Sequence, residues 1–524
     1  MKKIFFGGTI ITMTEPLVVE AVIVENGKII KAGKLSEIMD FAENCQIIDL
    51  KGKTMMPSFI DAHSHFAGVA NSTLQASLDE VSDFETMKEK IENFIEENHI
   101  KNGEWVSAGE WDNTLFENSK IPSLEEIDSI APNNPLVIHH KSGHMGLINS
   151  KGMEKLNIDN NTKCPEGGKI GKENGKLNGY FEENAFIENI KKIPMPSGED
   201  FLKAFIKAQD IYLSYGITSL QDGMAVKEML PLYDMLISQN ALKVDLTAYV
   251  SPEDYVMCKN KYGKLPPEKH FKIGGIKIFL DGSPQGRTAW VRKPYENSDD
   301  YCGYGTMTDD AVCRAMELSA MEKAQLICHC NGDAAAEQFL RCLYKTENKY
   351  PELKKLRPVI IHGQLMGKDQ ISVAKELGAM VSFFIAHIYH WGDIHIKNFG
   401  MKRASTISCA GSALKENLKF TFHQDAPVIK PNMLETVWCA VCRKTKNGVT
   451  LGEDEKISVF DALMAVTYNS AYQYFEEHKK GTIAINKNAD FVILDANPFE
   501  VLEENIPDIN ILATFKNGEC LYKK

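Results

Sequence analysis

No run of about 18 uninterrupted apolar residues occurs in this chain of 524 residues, so no membrane-spanning helix is expected. Basic charge is not in surplus either. Lys and Arg number 59 against 71 Asp and Glu, a net charge of −12, and no basic stripe marks a nucleic-acid groove. Low-complexity tracts are missing, and the composition is that of an ordinary globular protein. Cysteine is sparse for the length. The 12 cysteines are scattered (Cys45, Cys164, Cys258, Cys520 and others), which excludes a disulfide scaffold and suits a reducing cytoplasm. A secretory leader is not expected. The opening Met1-Lys2-Lys3-Ile4-Phe5-Phe6-Gly7-Gly8-Thr9-Ile10-Ile11 is broken by Gly-Gly, and no clean small-residue cleavage site precedes Glu15-Pro16. A β-strand fits it better.

What is present is a chain too long for one core, since single cores stop growing beyond roughly 250–300 residues. Residues 1–54 read as short strands and turns, with an Asn26-Gly27 hairpin between Ala21-Val22-Ile23-Val24 and Lys28-Ile29-Ile30. Residues 476–524 repeat the style, with a strand at Phe491-Val492-Ile493-Leu494 and a hairpin at Asn517-Gly518. Both ends together predict one discontinuous β-sandwich domain. Between them, over 55–475, apolar strands alternate with helical stretches, which implies parallel strands with crossover helices. Eight strands are predicted, at 56–65, 216–222, 243–250, 274–281, 324–330, 358–363, 379–385 and 418–425. The fold class is therefore α/β, a (β/α)8 TIM barrel. The gap between its first two strands exceeds one crossover, so 68–200 is an α/β insertion with its own strand at 136–140.

Active sites of such barrels lie at the C-terminal ends of the strands. The first strand ends in Asp61-Ala62-His63-Ser64-His65. Two histidines spaced i, i+2 on a strand point to one side, and two neutral imidazoles suit a zinc-type metal. Strand four carries Lys277, strand five ends in His329, strand six in His362 and strand eight in Asp425. Each has a bland reading alone: a core histidine, a snorkelling lysine, a capping aspartate. Together they are six chemically apt residues at one end of one barrel. Two cysteine clusters have a plainer meaning. Cys328 and Cys330 alternate with His329 on a strand, and Cys439 with Cys442 reads as part of a buried helix.

These strand ends resemble the amidohydrolase superfamily, and other segments resemble its YtcJ-like branch, which includes N-substituted formamide deformylase. They are Gly109-Glu110-Trp111-Asp112, Ser142-Gly143-His144-Met145-Gly146-Leu147-Ile148-Asn149-Ser150, Asp281-Gly282-Ser283 with Arg287-Thr288-Ala289, Asp425-Ala426-Pro427-Val428, Gly481-Thr482-Ile483 and the stretch from Asn488 to Asp495. The resemblance spans essentially the whole chain. It implies a divalent metal, zinc by donor type, at His63, His65 and Asp425. A second metal at His329 and His362 would be bridged by a CO2-derived carboxylate on Lys277. A single-metal form, in which Lys277 has no metal role, stays open. The implied reaction is hydrolysis of a C–N bond in an amide or formamide by metal-activated hydroxide, with Asp425 as general base and then acid.

Secondary candidates for substrate binding are Trp111, His144, Arg287 and His423. Trp111 could equally pack in a core, His144 could hold a loop, and Arg287 could form a structural ion pair. His423, on the Asp425 side of its strand by alternation, could orient that carboxylate. Phe422-His423-Gln424-Asp425 departs from the Gly-Ser-Asp style of the family, which bears on substrate preference. His387, His390 and His395 follow strand seven and could reach the pocket mouth or simply be exposed loop histidines. The expected partners are a small-molecule substrate and a second copy in a homodimer, with no nucleic acid and no membrane. A deaminase on the same scaffold and a non-catalytic scaffold protein are the rival readings, the latter opposed by the full set of ligands.

Overall fold

Both ends of the chain carry an Asn-Gly turn, and both turns form. In the computed structural model, which describes residues 2–41, 44–141, 144–194 and 196–524, Asn26 and Gly27 have φ of 50° and 76°, and Asn517 and Gly518 have 50° and 75°. Those left-handed angles match the twist of a tight hairpin, and Asn and Gly adopt them at least cost. Ser142 and Gly143, within the motif around His144, lie outside the described residues.

The hairpin strands join one eight-stranded sheet. Its order is Glu519–Lys523, Ile511–Lys516, Phe491–Leu494, Thr54–Pro57, Lys2–Ile11, Val18–Glu25 and Lys28–Gly33, with Gln46–Asp49 beside Lys2–Ile11. The two ends of the chain meet where Phe491–Leu494 runs antiparallel to Thr54–Pro57. Phe5 packs edge-on against Phe491 and Phe515, each at 5.3 Å. Burying such a side chain contributes roughly 1.5–3 kcal/mol.

A second eight-stranded sheet is wholly parallel. Its strands are Phe59–Ile60, Ile217–Asp222, Asp245–Val250, Phe271–Phe279, Gln325–Cys330, Val359–His362, Met380–Phe383 and Phe420–Phe422, in that order. Helices such as Asp309–Glu322, Asp333–Glu347 and Lys368–Glu376 make the crossovers. The sheet curls as a barrel-like layer. The segments that follow its first and last strands exchange backbone hydrogen bonds, His65 N to the Ala426 carbonyl (2.8 Å) and Asp425 N to the His63 carbonyl (3.3 Å).

The apolar run of residues 55–60 is shared between the two sheets. Thr54–Pro57 belongs to the first and Phe59–Ile60 to the second. Ser58 is the crossing point, donating to the Asp490 carbonyl on one side and lying 2.6 Å from Thr218 Oγ1 on the other. The strand predicted at 56–65 therefore stops at Ile60, and the two histidines sit on the bend beyond it.

These sheets share one compact unit, Met1–Ala67 with Ala208–Lys524, while Gly68–Lys207 forms another. The latter has a six-stranded sheet containing Val106–Trp111 and Leu136–His140, with its own apolar core. Helix Phe84–Glu97 starts at Asp83, whose carboxylate accepts from Thr86 N at 2.8 Å, and buries Met87 and Ile91 in that core. Among the described residues, no helix is long and apolar enough to cross a membrane.

Candidate metal centre

His63 and His65 lie on a backbone bend pinned from below. Tyr474 donates to the Asp61 carbonyl at 2.6 Å, and the Gln473 and Gln221 amides donate to the Ala62 carbonyl at 2.8 and 3.0 Å. Gln221 also meets His63 Nδ1 at 2.5 Å through Oε1. A carbonyl oxygen can only accept, so Nδ1 carries the proton and Nε2 of His63 is left bare.

That bare nitrogen faces Asp425. Its Oδ1 lies 3.5 Å from His63 Nε2 and 3.3 Å from His65 Nε2. The ligand atoms of His63, His65 and Asp425 all fall within 4.8 Å of one another. Oδ1 of Asp425 is buried and, among the described residues, finds no hydrogen-bond partner. A buried carboxylate oxygen left so beside two imidazoles is what a cation would satisfy. The donor set fits a divalent metal.

The neighbouring groups extend the site. Lys277, on Phe271–Phe279, is 1 % exposed with Nζ 3.3 Å from His63 Nε2, and among the described residues no carboxylate pairs with it. Burial pulls its amine down to about 8, against the attraction of Asp425. His329 Nδ1 and His362 Nε2 are 3.1 Å apart. Burial, then the Lys277 charge, lowers His329 to about 4, and burial followed by neighbouring histidines lowers His362. Burial first, then Lys277, also lowers His63. These imidazoles are therefore neutral, the form that ligates metal. Burial would raise Asp425, but its contacts with His65 and the nearby His423 and Lys277 outweigh it and hold the carboxylate ionised.

His362 and Asp425 both adopt left-handed backbone, with φ of 75° and 54°. Such angles cost of order 1–3 kcal/mol at non-glycine residues and persist where the surroundings impose them. His362 ends its strand, whereas the strand predicted at 418–425 stops at Phe422 and Asp425 lies on the segment beyond it.

Sequence reasoning missed several supporting residues. Asp281 accepts from three backbone amides, Trp290 (2.9 Å), Asn331 (2.9 Å) and Gly332 (2.7 Å), tying the segment after strand four to the end of strand five. Asn331 then donates to the Gly282 carbonyl at 2.8 Å, and the same carbonyl lies 3.3 Å from His329 Nε2. Gln221 and Ser382 were also unassigned. Strand-end position was their only signal, because both act through contacts distant in sequence.

The four secondary candidates have other surroundings. Trp111 is fully buried in the apolar core of the 68–207 unit. His144, in the same unit, is exposed and has Nδ1 3.0 Å from Glu183 Oε2. Arg287 stacks over Tyr295 at 5.2 Å and donates to the Glu296 carbonyl at 2.9 Å, so its guanidinium is engaged in holding its own loop. His423 is fully buried, and its ring contacts His362 at 3.0 Å and Ser382 at 2.8 Å. His387 and His395 stack on each other at 5.3 Å in a buried pair on helix His387–Ala404, and His390 meets Glu435 at 2.9 Å. Cys439 and Cys442 are buried on helix Met433–Cys442, as their sequence context suggested.

The family model described as "Amidohydrolase family" matches residues 46–522. The chain belongs to this family. Across 542 aligned residues, this amidohydrolase is 25 % identical to the putative amidohydrolase YtcJ of Bacillus subtilis, covering 100 % of both chains. It is 23 % identical to the N-substituted formamide deformylase of Arthrobacter pascens, covering 96 % of this chain and 95 % of that one. The crystal structure of an uncharacterised metal-dependent hydrolase from Pyrococcus horikoshii is similar with a TM-score of 0.76 and 25 % identity, covering 96 % of this chain and 99 % of the other. The α/β class and a TIM-barrel-like core follow from that likeness together with the curled parallel sheet.

Proposed function

We propose that this amidohydrolase hydrolyses the C–N bond of a small amide or formamide. His63, His65 and Asp425 hold one divalent ion, zinc by donor type, and His329 with His362 hold a second. Lys277 would supply the carboxylate, formed with CO2, that such a pair of ions shares. The observation that carries this reading is the convergence of three ligand atoms within 4.8 Å around a carboxylate oxygen without a hydrogen bond. A relative named for N-substituted formamide supports the substrate class.

When bound, such ions polarise a carbonyl and lower the pKa of a water. Asp425 receives the proton of the attacking water on its carboxylate and passes it to the leaving nitrogen, so that amide plus water becomes acid plus amine. Gln221 keeps the His63 proton on Nδ1 throughout. Lys277 is a sensible precursor for the carboxylate because burial pulls its amine down to about 8 despite the attraction of Asp425, which favours the neutral form that reacts with CO2.

The test is metal-stripped protein reloaded with Zn2+ and screened against N-formyl, N-acyl and cyclic amides. Release of an amine with its acid is expected. Release of ammonia from an amidine carbon would replace the hydrolase by a deaminase. Protein that cannot be reloaded above about 0.2 metal equivalents would end the metal reading altogether. High-resolution electron density should show the extra carboxylate on Lys277, and a bare ammonium there would remove the bridge.

A further inference from the structure

Three imidazoles and a hydroxyl form an unbroken chain behind the second ligand group. His329 Nδ1 lies 3.1 Å from His362 Nε2, His362 Nδ1 lies 3.0 Å from His423 Nε2, and His423 Nδ1 lies 2.8 Å from Ser382 Oγ. At the far end of His329, Nε2 faces the Gly282 carbonyl at 3.3 Å. Asn331 Nδ2 lies 3.1 Å from the same nitrogen, so His329 either donates from Nε2 to the carbonyl, which leaves Nδ1 bare, or accepts there from Asn331 with its proton on Nδ1. His362, His423 and Ser382 are all buried, with exposures of 4 %, 0 % and 0 %, which leaves solvent little part in this chain.

Given neutral rings and His329 protonated on Nε2, two proton arrangements satisfy the links from His362 to Ser382, and the first also satisfies the link from His362 to His329. In the first, the Ser382 hydroxyl donates to His423 Nδ1, His423 Nε2–H donates to His362 Nδ1, and His362 Nε2–H donates to His329 Nδ1. In the second, His362 moves its proton to Nδ1 and donates to His423 Nε2. His423 in turn carries its proton on Nδ1 and donates to Ser382 Oγ. Each ring holds one proton in both arrangements, so the exchange releases none and creates no charge. Only the second leaves His362 Nε2 and His329 Nδ1 bare side by side, as a shared cation requires. Serine closes the chain because its hydroxyl both donates and accepts.

We propose that His423 is a positioning residue for His362, and that His423 and Ser382 form a neutral tautomer relay that switches when a divalent cation binds. The inference rests on the metal-centre reading above. It moves His423 from the carboxylate of Asp425, where strand alternation suggested its role, to an imidazole ligand.

The experiment uses the full chain labelled with 15N at histidine. Long-range 1H–15N correlation spectra are recorded after chelation and after reloading with Zn2+. His423 is expected in the Nε2–H form without metal and in the Nδ1–H form with it. His423→Phe keeps a ring but removes the acceptor, and should weaken Zn2+ binding about 10–100-fold in chelator competition. His423→Gln, able to accept from His362 and donate to Ser382, should restore most of that loss. Ser382→Ala should weaken binding too, because it leaves the His423 proton buried without an acceptor. Melting temperatures of the variants establish that they are folded. Zn2+ uptake with an unchanged His423 tautomer, or with full affinity in folded His423→Phe, would overturn the relay alone. Wild-type protein that takes up no Zn2+ would overturn the metal reading and the relay with it.

Discussion

At the scale of single residues, Asp425 is the side chain on which turnover should hinge. Asp425→Asn preserves size but gives up the base, and kcat should fall by about 10²–10⁴-fold or below detection while the melting temperature is retained. An active Asp425→Asn would refute the proton shuttle. Gly223 is a less obvious point. A Cβ there would lie 2.3 Å from His63 Cε1 and 2.8 Å from its Nδ1, within the contact that Gln221 makes to the same ring. His63 is fully buried and has nowhere to retreat. Gly223→Ala should therefore displace the imidazole, lower the bound metal measured by elemental analysis, and cost about 1–3 kcal/mol of stability from overpacking. The residues of this site were legible as a list of strand ends. Their tautomers were not, because a tautomer is set by the partner of the second ring nitrogen, and Gln221, Gly282 and His423 reach their partners only after folding.

At the scale of elements, the eight strands of the parallel sheet follow the apolar runs closely, down to short pieces such as Val359–His362 and Met380–Phe383. Strands buried on both faces write themselves as continuous hydrophobic segments. The first strand is where this fails. One apolar run serves two sheets, and a run carries no mark of where the chain passes between them. The loop after strand four shows the other limit. Asp281, within a motif already noted, gathers three backbone amides from Trp290, Asn331 and Gly332. Asp281→Ala would orphan them, each unsatisfied buried donor costing about 1–3 kcal/mol. A lower urea midpoint and faster proteolysis within residues 282–306 are the expected results.

At the scale of the unit formed by Met1–Ala67 and Ala208–Lys524, a buried charge network ties the terminal strands to the barrel-like sheet. Lys480 reaches both Asp245 and Glu476 (3.0 Å to the latter), Lys516 lies 2.7 Å from Asp245, and Lys272 lies 2.9 Å from Glu476. Burial would raise both acids, but Lys480 and Lys516 hold Asp245 well below its ordinary range, and Lys480 with Lys272 brings Glu476 down to about 2. Burial would lower Lys480, but the two carboxylates outweigh it and raise it. The sign follows directly. Depressed acids stabilise the fold fully above their unfolded values of about 4, and that stability is lost as pH falls toward 2. Raised Lys480 contributes fully below its unfolded value of about 10.4, and its share is lost as pH rises beyond. Denaturant midpoints should therefore be flat with respect to this network between those limits and drop in acid. Lys480→Met should flatten part of the acid drop. It should also cost about 1–3 kcal/mol at neutral pH, because two partly buried carboxylates lose a shared buried partner.

By itself the sequence determined the order of strands and the hairpins at both ends, and it marked six chemically apt residues near where strands stop. These are properties of local pattern: period-two and continuous apolar runs, Asn-Gly turns, and histidine, lysine and aspartate where strands stop. Tertiary structure alone decided which nitrogen His63 leaves bare, that His423 lies against His362, and that Trp111 and Arg287 are committed to packing and to their own loop. Those outcomes depend on atoms brought within about 3 Å from positions far apart in the chain, and hydrogen-bond direction at that range is not encoded in any local spacing.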